Sequence, residues 1–168
     1  LFSRNINETL DSQQILKTFC DLIERNLDSD VAYVLVRDEN GDYQTKASTK
    51  PVSSDGIAIR RDSPLVDWLQ KHNLAVSYRD FSRTKDFIAM WESEKEELST
   101  NHIKLMLPIA EGGNLLAIAL FADQENSKNY TPSEITFLES AGAIVSIAAK
   151  NALLYAAIQE EAHVDALT

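Results

Sequence analysis

Nucleophilic and metal chemistry both need particular side chains held close together, and this chain offers few such groupings. Cys20 is the sole cysteine, so neither an internal disulfide nor a cysteine-rich metal cage can form. His72, His102 and His163 are widely separated and match neither the H-E-x-x-H spacing nor another metal-ligand spacing. No G-x-S-x-G elbow exposes a serine, and no G-x-x-x-x-G-K-[ST] loop cradles a phosphate. Carboxylates are plentiful, but most fall on stretches that read as solvated faces, the Glu92–Glu97 tract above all. No catalytic residue, no metal site and no cofactor is assigned.

Charge narrows the partners further. The 168 residues carry 26 acidic and 16 basic side chains, a net charge of −10. A field of that sign repels nucleic-acid phosphates and anionic lipid headgroups, so neither nucleic acid nor a membrane is an expected partner. The longest uncharged stretches, Gly112–Ala122 and Ser140–Ala149, are far shorter than the roughly 20 residues a membrane helix needs. The lone cysteine suits a reducing compartment, and a cytoplasmic location is expected. The chain opens on Leu1 with no secretory pattern behind it, as expected of a piece cut from a longer protein.

The elements that would position a site can be read from hydrophobic period and turn chemistry. Ile15, Leu16, Phe19, Ile23 and Leu27 recur at helical spacing, predicting a helix from about Glu8 to Leu27 with Asp11 or Ser12 as its cap. Val31–Val36 is apolar at every position, the mark of a strand covered on both faces. Asn40-Gly41 then predicts a hairpin returning through Tyr43–Ser48. In the middle, a short strand is expected around Ile57–Ile59 and another over Ala75–Tyr78. A helix should start at Ser63-Pro64 and end at Asn73, and a further helix should cover Lys85–Leu98. Ile103–Ile109 alternates, placing Ile103, Leu105, Leu107 and Ile109 on one side. Gly112-Gly113 turns the chain into Leu115–Ala122, a second strand apolar on both faces, and its glycines are there for positive φ.

From Pro132 to His163 no further proline appears and Gly142 is the only glycine, so one long helix of roughly 45–50 Å is predicted. A globule of this size has a radius of gyration near ~15 Å, so such a helix should overrun it. Two apolar rows run along this helix. One is Phe137, Ala141, Ile144, Ala148, Tyr155, Ile158 and Ala162; the other is Ile135, Leu138, Gly142, Val145, Ala149, Ala152 and Ala156. One row is expected to cover the sheet and the other to meet a partner helix, giving a homodimer through the terminal helices. The fold class expected is α+β: an antiparallel sheet of about five to six strands, terminal helices on one face, short helices and loops on the other.

This order resembles a GAF domain, the small-ligand and signalling module of many bacterial sensors, over about Leu10 to Ala157. The resemblance is carried by VAYVLVRDENG in the opening hairpin, by AVSYRDF with its terminal Asp80, and by IKLMLPIAEGGNLLAIALF with Pro108 and the Gly112-Gly113 turn. Tyr130-Thr131-Pro132-Ser133-Glu134 is similar to the entry of the family's last helix, while Ala117 stands where the family usually has glycine. Asn126, Lys128, Tyr130 and Glu134 fall in an order similar to that of cyclic-nucleotide-binding members, but Ile135 replaces the final acid; a Lys128–Glu134 ion pair would brace that loop. Bilin-binding members use a suitably placed cysteine, often beside histidine; Cys20 has no such neighbour and reads as a core thiol.

The closing Ala162-His163-Val164-Asp165-Ala166-Leu167-Thr168 is similar to the lead-in of GGDEF domains, the diguanylate cyclases. Residues 1–7 would then be the end of an upstream linker helix, 8–157 the GAF domain, and 158–168 a signalling helix into a C-terminal cyclase. The resemblance also implies a pocket between the sheet and the irregular middle segment, lined by Tyr33, Trp68, Tyr78, Arg79, Phe87, Trp91, His102 and Lys104. Aromatic walls with a few polar groups suit an unidentified small organic ligand, and Arg79 and Lys104 suit its carboxylate or phosphate. Trp68 and Trp91 fit a plain core equally well. The expected function is a ligand-binding regulatory sensor of the cyclase. The alternatives are a ligand-free dimerisation scaffold and, last, a stand-alone enzyme of the methionine-sulfoxide-reducing kind, whose members resemble one another in multiple cysteines.

Overall fold

The computed structural model of the protein describes residues 2–27, 30–49, 56–123 and 129–167, leaving aside the side chains of 2–11, 30, 123 and 152–167. Its elements in chain order are α1 (Phe2–Asn26), β1 (Asp30–Arg37), β2 (Tyr43–Ser48), β3 (Ala58–Ile59), α2 (Pro64–His72), β4 (Val76–Ser77), α3 (Tyr78–Phe81), α4 (Lys85–Ala89), α5 (Glu92–Thr100), β5 (Ile103–Glu111), β6 (Asn114–Asp123) and α6 (Pro132–Leu167). Six strands form one antiparallel sheet in the order β3-β2-β1-β6-β5-β4.

The two wholly apolar segments take the central positions, and each distributes its side chains to both faces. Ala32, Val34 and Val36 of β1 and Ala117, Ala119 and Phe121 of β6 join Leu16, Phe19, Ile23, Leu138, Ala141, Val145 and Ala149 under α1 and α6. On the other face Val31 and Leu35, with Ile118 and Leu120, meet Leu65, Leu69, Phe81 and Leu98 from the short helices and Met90 from between α4 and α5. Full burial of each such aliphatic side chain stabilises the fold by about 1.5–3 kcal/mol. Alanines at 32, 117 and 119 keep the first face shallow. Gly142 completes the close approach, since a β-carbon there would stand 3.2 Å from Leu107 Cδ2.

The turns follow local chemistry. Asp38 Oδ1 accepts the Asn40 and Asp42 amides, and Gly41 sits at φ +89°. Gly112 and Gly113 both take positive φ in the β5–β6 hairpin. Asn73 ends α2 in the left-handed region at φ 50°, its amide donating to the Leu69 carbonyl. Pro108 lies on β5 beyond its short pairing with β4, opposite Ile118 of β6.

Four local expectations are corrected. The first helix begins near Phe2, so Ser12 is not its cap but a buried interior residue whose hydroxyl donates to the Ala148 carbonyl at 3.3 Å. The helix expected over Lys85–Leu98 is two helices, because Met90 and Trp91 adopt extended backbone and Met90 turns into the core. The Glu92–Glu97 tract is not simply a solvated face, since Glu94 is 4% exposed. Ile103 does not share a side with Leu105: the β5–β6 register slips between them, at Lys104.

The last helix is continuous for 36 residues, about 54 Å, against about 34 Å for the ten residues of β6. It outruns the strands it covers. α1 lies antiparallel to it: the Ser12–Ala148 bond fixes one crossing, while the ends of both helices meet the β1–β6 pair. As far as Asn151, both apolar rows of α6 are taken up within the chain, by α1 and by the sheet. The side chains of Tyr155, Ile158 and Ala162, and of Ala152 and Ala156, lie outside the described residues.

Candidate functional site

Five of the eight residues expected to line a pocket are found on the face opposite the terminal helices. Trp68, Tyr78 and Phe87 belong to a ring array around Phe81, which sequence reasoning had not singled out. Trp68 meets Phe81 edge-on at 5.8 Å, Phe81 meets Phe87 at 6.0 Å, and Tyr78 meets Phe87 at 5.8 Å. His72 stacks on Trp68 at 4.1 Å. Tyr33 reaches the same core from β1. Burial raises the Tyr33 and Tyr78 hydroxyls above the ordinary tyrosine range. Trp91 is 39% exposed at the end of this group, with the Arg60 guanidinium 5.1 Å from its ring centre.

His102 stands apart. It is exposed in the turn entering β5, held at φ 57° with its amide donating to the Ser99 carbonyl. Its role there is geometric, in a backbone conformation few residues adopt.

Arg79 and Lys104 come together elsewhere, at the β4–β5 edge. They share a cleft of about 400 Å³ with Arg83, Asp80, Ser77, Asn129 and Tyr130, floored by Ala75, Val76, Leu105 and Ile135. Each basic group arrives by an identifiable device. Ser77 caps α3, its hydroxyl accepting the Asp80 amide at 3.1 Å, which starts the turn carrying Arg79. The Arg83 amide donates to the Asp80 carbonyl in a turn that follows α3, and Arg79 and Arg83 both line the cleft. The register slip of β5 falls at Lys104, and such a bulge re-aims the side chain it carries. Arg83 was not among the residues expected to line a pocket.

The cleft touches the start of α6 through Asn129, Tyr130 and Ile135. That start is a capping box: the Glu134 amide donates to Thr131 Oγ1 at 3.2 Å, and Glu134 Oε1 accepts the Thr131 amide at 3.0 Å. Asn126 and Lys128, and with them the expected Lys128–Glu134 pair, lie outside the described residues. Cys20 is buried under α1 on the far side of the sheet from the aromatic array, and burial pushes its thiol up to about 11. Among the described residues, no three His, Cys, Asp or Glu side chains are grouped as metal ligands would be, and no helix is long and apolar enough to cross a membrane.

A family model described as "GAF domain" matches residues 9–149. Among solved structures, the GAF domain/HD domain protein from Geobacter sulfurreducens is 14% identical with a TM-score of 0.63, covering 88% of this chain and 95% of that one. The blue-light absorbing form of the Thermosynechococcus elongatus PixJ GAF-domain is 16% identical with a TM-score of 0.64, covering 93% and 95%. The GAF domain of a two-component sensor histidine kinase from Bacillus halodurans is 17% identical with a TM-score of 0.62, covering 85% and 96%. No curated protein matches the chain significantly.

Proposed function

The chain belongs to the GAF domain family, and from that membership we propose that it is a regulatory sensor domain. In this reading, a small ligand biases the long last helix, which passes the bias to a C-terminal diguanylate cyclase. Two copies pair through α1 and α6 in the cytoplasm, and the cyclase joins two GTP molecules held by two protomers, so helix geometry sets its output. Similar folds occur in a sensor histidine kinase and in a light-absorbing receptor, which supports the sensor class. The cyclase rests on the closing Asp165-Ala166-Leu167-Thr168 sequence.

One observation carries the proposal: α6 starts beside a cleft and continues as a single helix well past the sheet. A rigid rod transmits a rotation or shift of its first turn along its whole length. The ligand must bind one helix arrangement more tightly than the other, because equal affinity shifts nothing.

The gene sequence past Thr168 is the first test, with an acidic G-G-D/E-E-F loop expected and a kinase or other output domain overturning the cyclase assignment. In the full-length protein, inserting one heptad after Leu167 keeps helix phase and should preserve regulation, whereas half a heptad should scramble it. Equal behaviour of both insertions would overturn the relay.

A ligand-free dimerisation scaffold is the second reading. It is favoured by the mutual packing of Trp68, Phe81, Phe87 and Tyr78, which fills much of the region between the sheet and the short helices.

A further inference from the structure

We propose that two copies of this chain pair in parallel and in register along α6, with Asn151 facing Asn151 of the second copy across the two-fold axis. The assignment deepens the sensor reading by naming the partner and its register. It takes the parallel direction from that reading, in which the two output ends must meet.

Cover on the helical layer is incomplete along one edge. α1 and α6 bury Phe19, Ile23, Ala141 and Val145 in the core beneath them. Ile15, Leu22, Phe137 and Ile144 are only partly buried against that core, and Ile147 is 54% exposed. Apolar surface left open on two adjacent helices is the mark of an interaction site.

Sequence spacing carries that edge past the sheet. Ile144, Asn151 and Ile158 recur every seven residues, and Ile147 and Leu154 recur every seven between them. On a helix that runs unbroken to Leu167, this is the a and d spacing of a coiled coil. Isoleucine at a with leucine at d favours two parallel strands, and a single asparagine at a fixes their register. The Asn151 carboxamide is partly buried and has no hydrogen-bond partner among the described residues. Its counterpart across the axis supplies one, an amide of one copy donating to the carboxamide oxygen of the other.

Charge and area fit a second copy as the occupant. Each copy has a net charge of −10, so two copies approach best over a face poor in acids. Between Glu139 and Glu160, α6 holds one charged residue, Lys150, and it is paired with Glu111 of its own chain. Phe2 precedes Ser12 by as many residues as Ile158 follows Ala148, so α1 is long enough to flank the antiparallel α6 to Ile158. From Phe137 to Ile158 α6 is about 33 Å long, and two helices abreast are about 20 Å wide. Such a face is about 650 Å² before its corrugation is counted, close to the ~800 Å² each partner buries in a stable pair.

Disulfide trapping of single added cysteines tests the register. Cys20 is buried, so the added thiol is the one available. Residues that face their own copy lie within disulfide reach, about 4.4–6.8 Å between Cα atoms. Asn151→Cys and Ile158→Cys should each give a covalent dimer on mild oxidation. Lys71→Cys, exposed on α2 across the sheet, should give none. Trapping at one seam position without the other overturns the proposal; at Asn151 alone it means an antiparallel pair. Trapping at neither, or at all three positions alike, overturns it as well.

Two substitutions that add no thiol read the same contact. Asn151→Asp sets two carboxylates face to face and should weaken the dimer about tenfold or more at neutral pH by sedimentation. Asn151→Leu should tighten it, since the polar a residue costs stability. A dimer constant unmoved by both makes Asn151 an ordinary surface residue and overturns the register. The heptad insertion in the full-length protein reports on the relay whatever holds the copies together, so a failed seam and a failed relay are told apart.

Discussion

Glu94 Oε2 accepts the backbone amide of Arg60 at 2.9 Å, although Glu94 is almost wholly buried. One helical turn further on, Glu97 Oε2 accepts the Ala58 amide at 3.2 Å. β3 is the outermost strand, so these are outward-facing amides that would otherwise be open to another chain. α5 therefore closes one edge of the sheet with side-chain carboxylates, matching a helix spacing of three to a strand spacing of two. Glu94 Oε1 is buried without a hydrogen-bond partner, which makes this a demanding position for a carboxylate.

Glu94→Ala should destabilise the protein by about 1.5–3 kcal/mol, the range for a hydrogen bond to a charged group. Glu94→Gln keeps an acceptor for the Arg60 amide and should lose less. Urea denaturation of the two variants checks the order, and a silent Glu94→Ala would show that the edge clamp contributes nothing.

Thr131→Ala removes the hydroxyl that accepts the Glu134 amide and opens the capping box of α6. A loss of about 1 kcal/mol is expected, or a fall in Tm of about 2–4 °C for a domain of this size. Thr131→Ser should restore most of it.

Cys20 should resist alkylation in the folded protein and react rapidly in urea. Burial disfavours its thiolate most strongly, and Glu24 and Asp21 add to that, raising the thiol from 9.0 to about 11. Its folded-state pKa is raised, so its contribution to stability is complete below pH ~9 and is lost as pH rises towards about 11. Cys20→Ala or Cys20→Val should flatten that alkaline loss in a series of denaturation curves.

Ile144 and Ile147 separate folding from association. Ile144 packs against the core under α1, whereas Ile147 is 54% exposed, beside Ala143 and Ser146 in a groove formed by α6 and β5. Light scattering should give a dimer mass for the wild type. Ile147→Glu should shift it towards monomer with stability changed by less than about 0.5 kcal/mol. Ile144→Glu buries a carboxylate against apolar neighbours and should destabilise the fold itself. A wild type that stays monomeric at high concentration removes the pairing of helices between copies.

Much of the architecture was legible because its signals are local. Val31–Val36 and Leu115–Ala122 are apolar at every position, and both became central strands buried on two faces. Asn73, Gly41 and the Gly112-Gly113 pair sit at left-handed backbone positions that few other residues tolerate. The long helix followed from the absence of breakers after Pro132.

The site was legible only in part. Arg79 and Lys104 were singled out together, but in a pocket with the aromatic residues rather than at the sheet edge where they meet Arg83. Trp68, Tyr78 and Phe87 pack against one another because Phe81 brings them together, and nothing in their spacing reveals that.

Sequence by itself determined which segments must be helix or strand and where the chain must turn, because those preferences belong to neighbouring residues. Only the tertiary structure decided that the β5–β6 register slips at Lys104, that Glu94 leaves solvent to hold Arg60, and that α1 takes a face of α6. Each depends on a partner at least 16 residues away along the chain, and short-range periodicity contains no term for a contact at that distance.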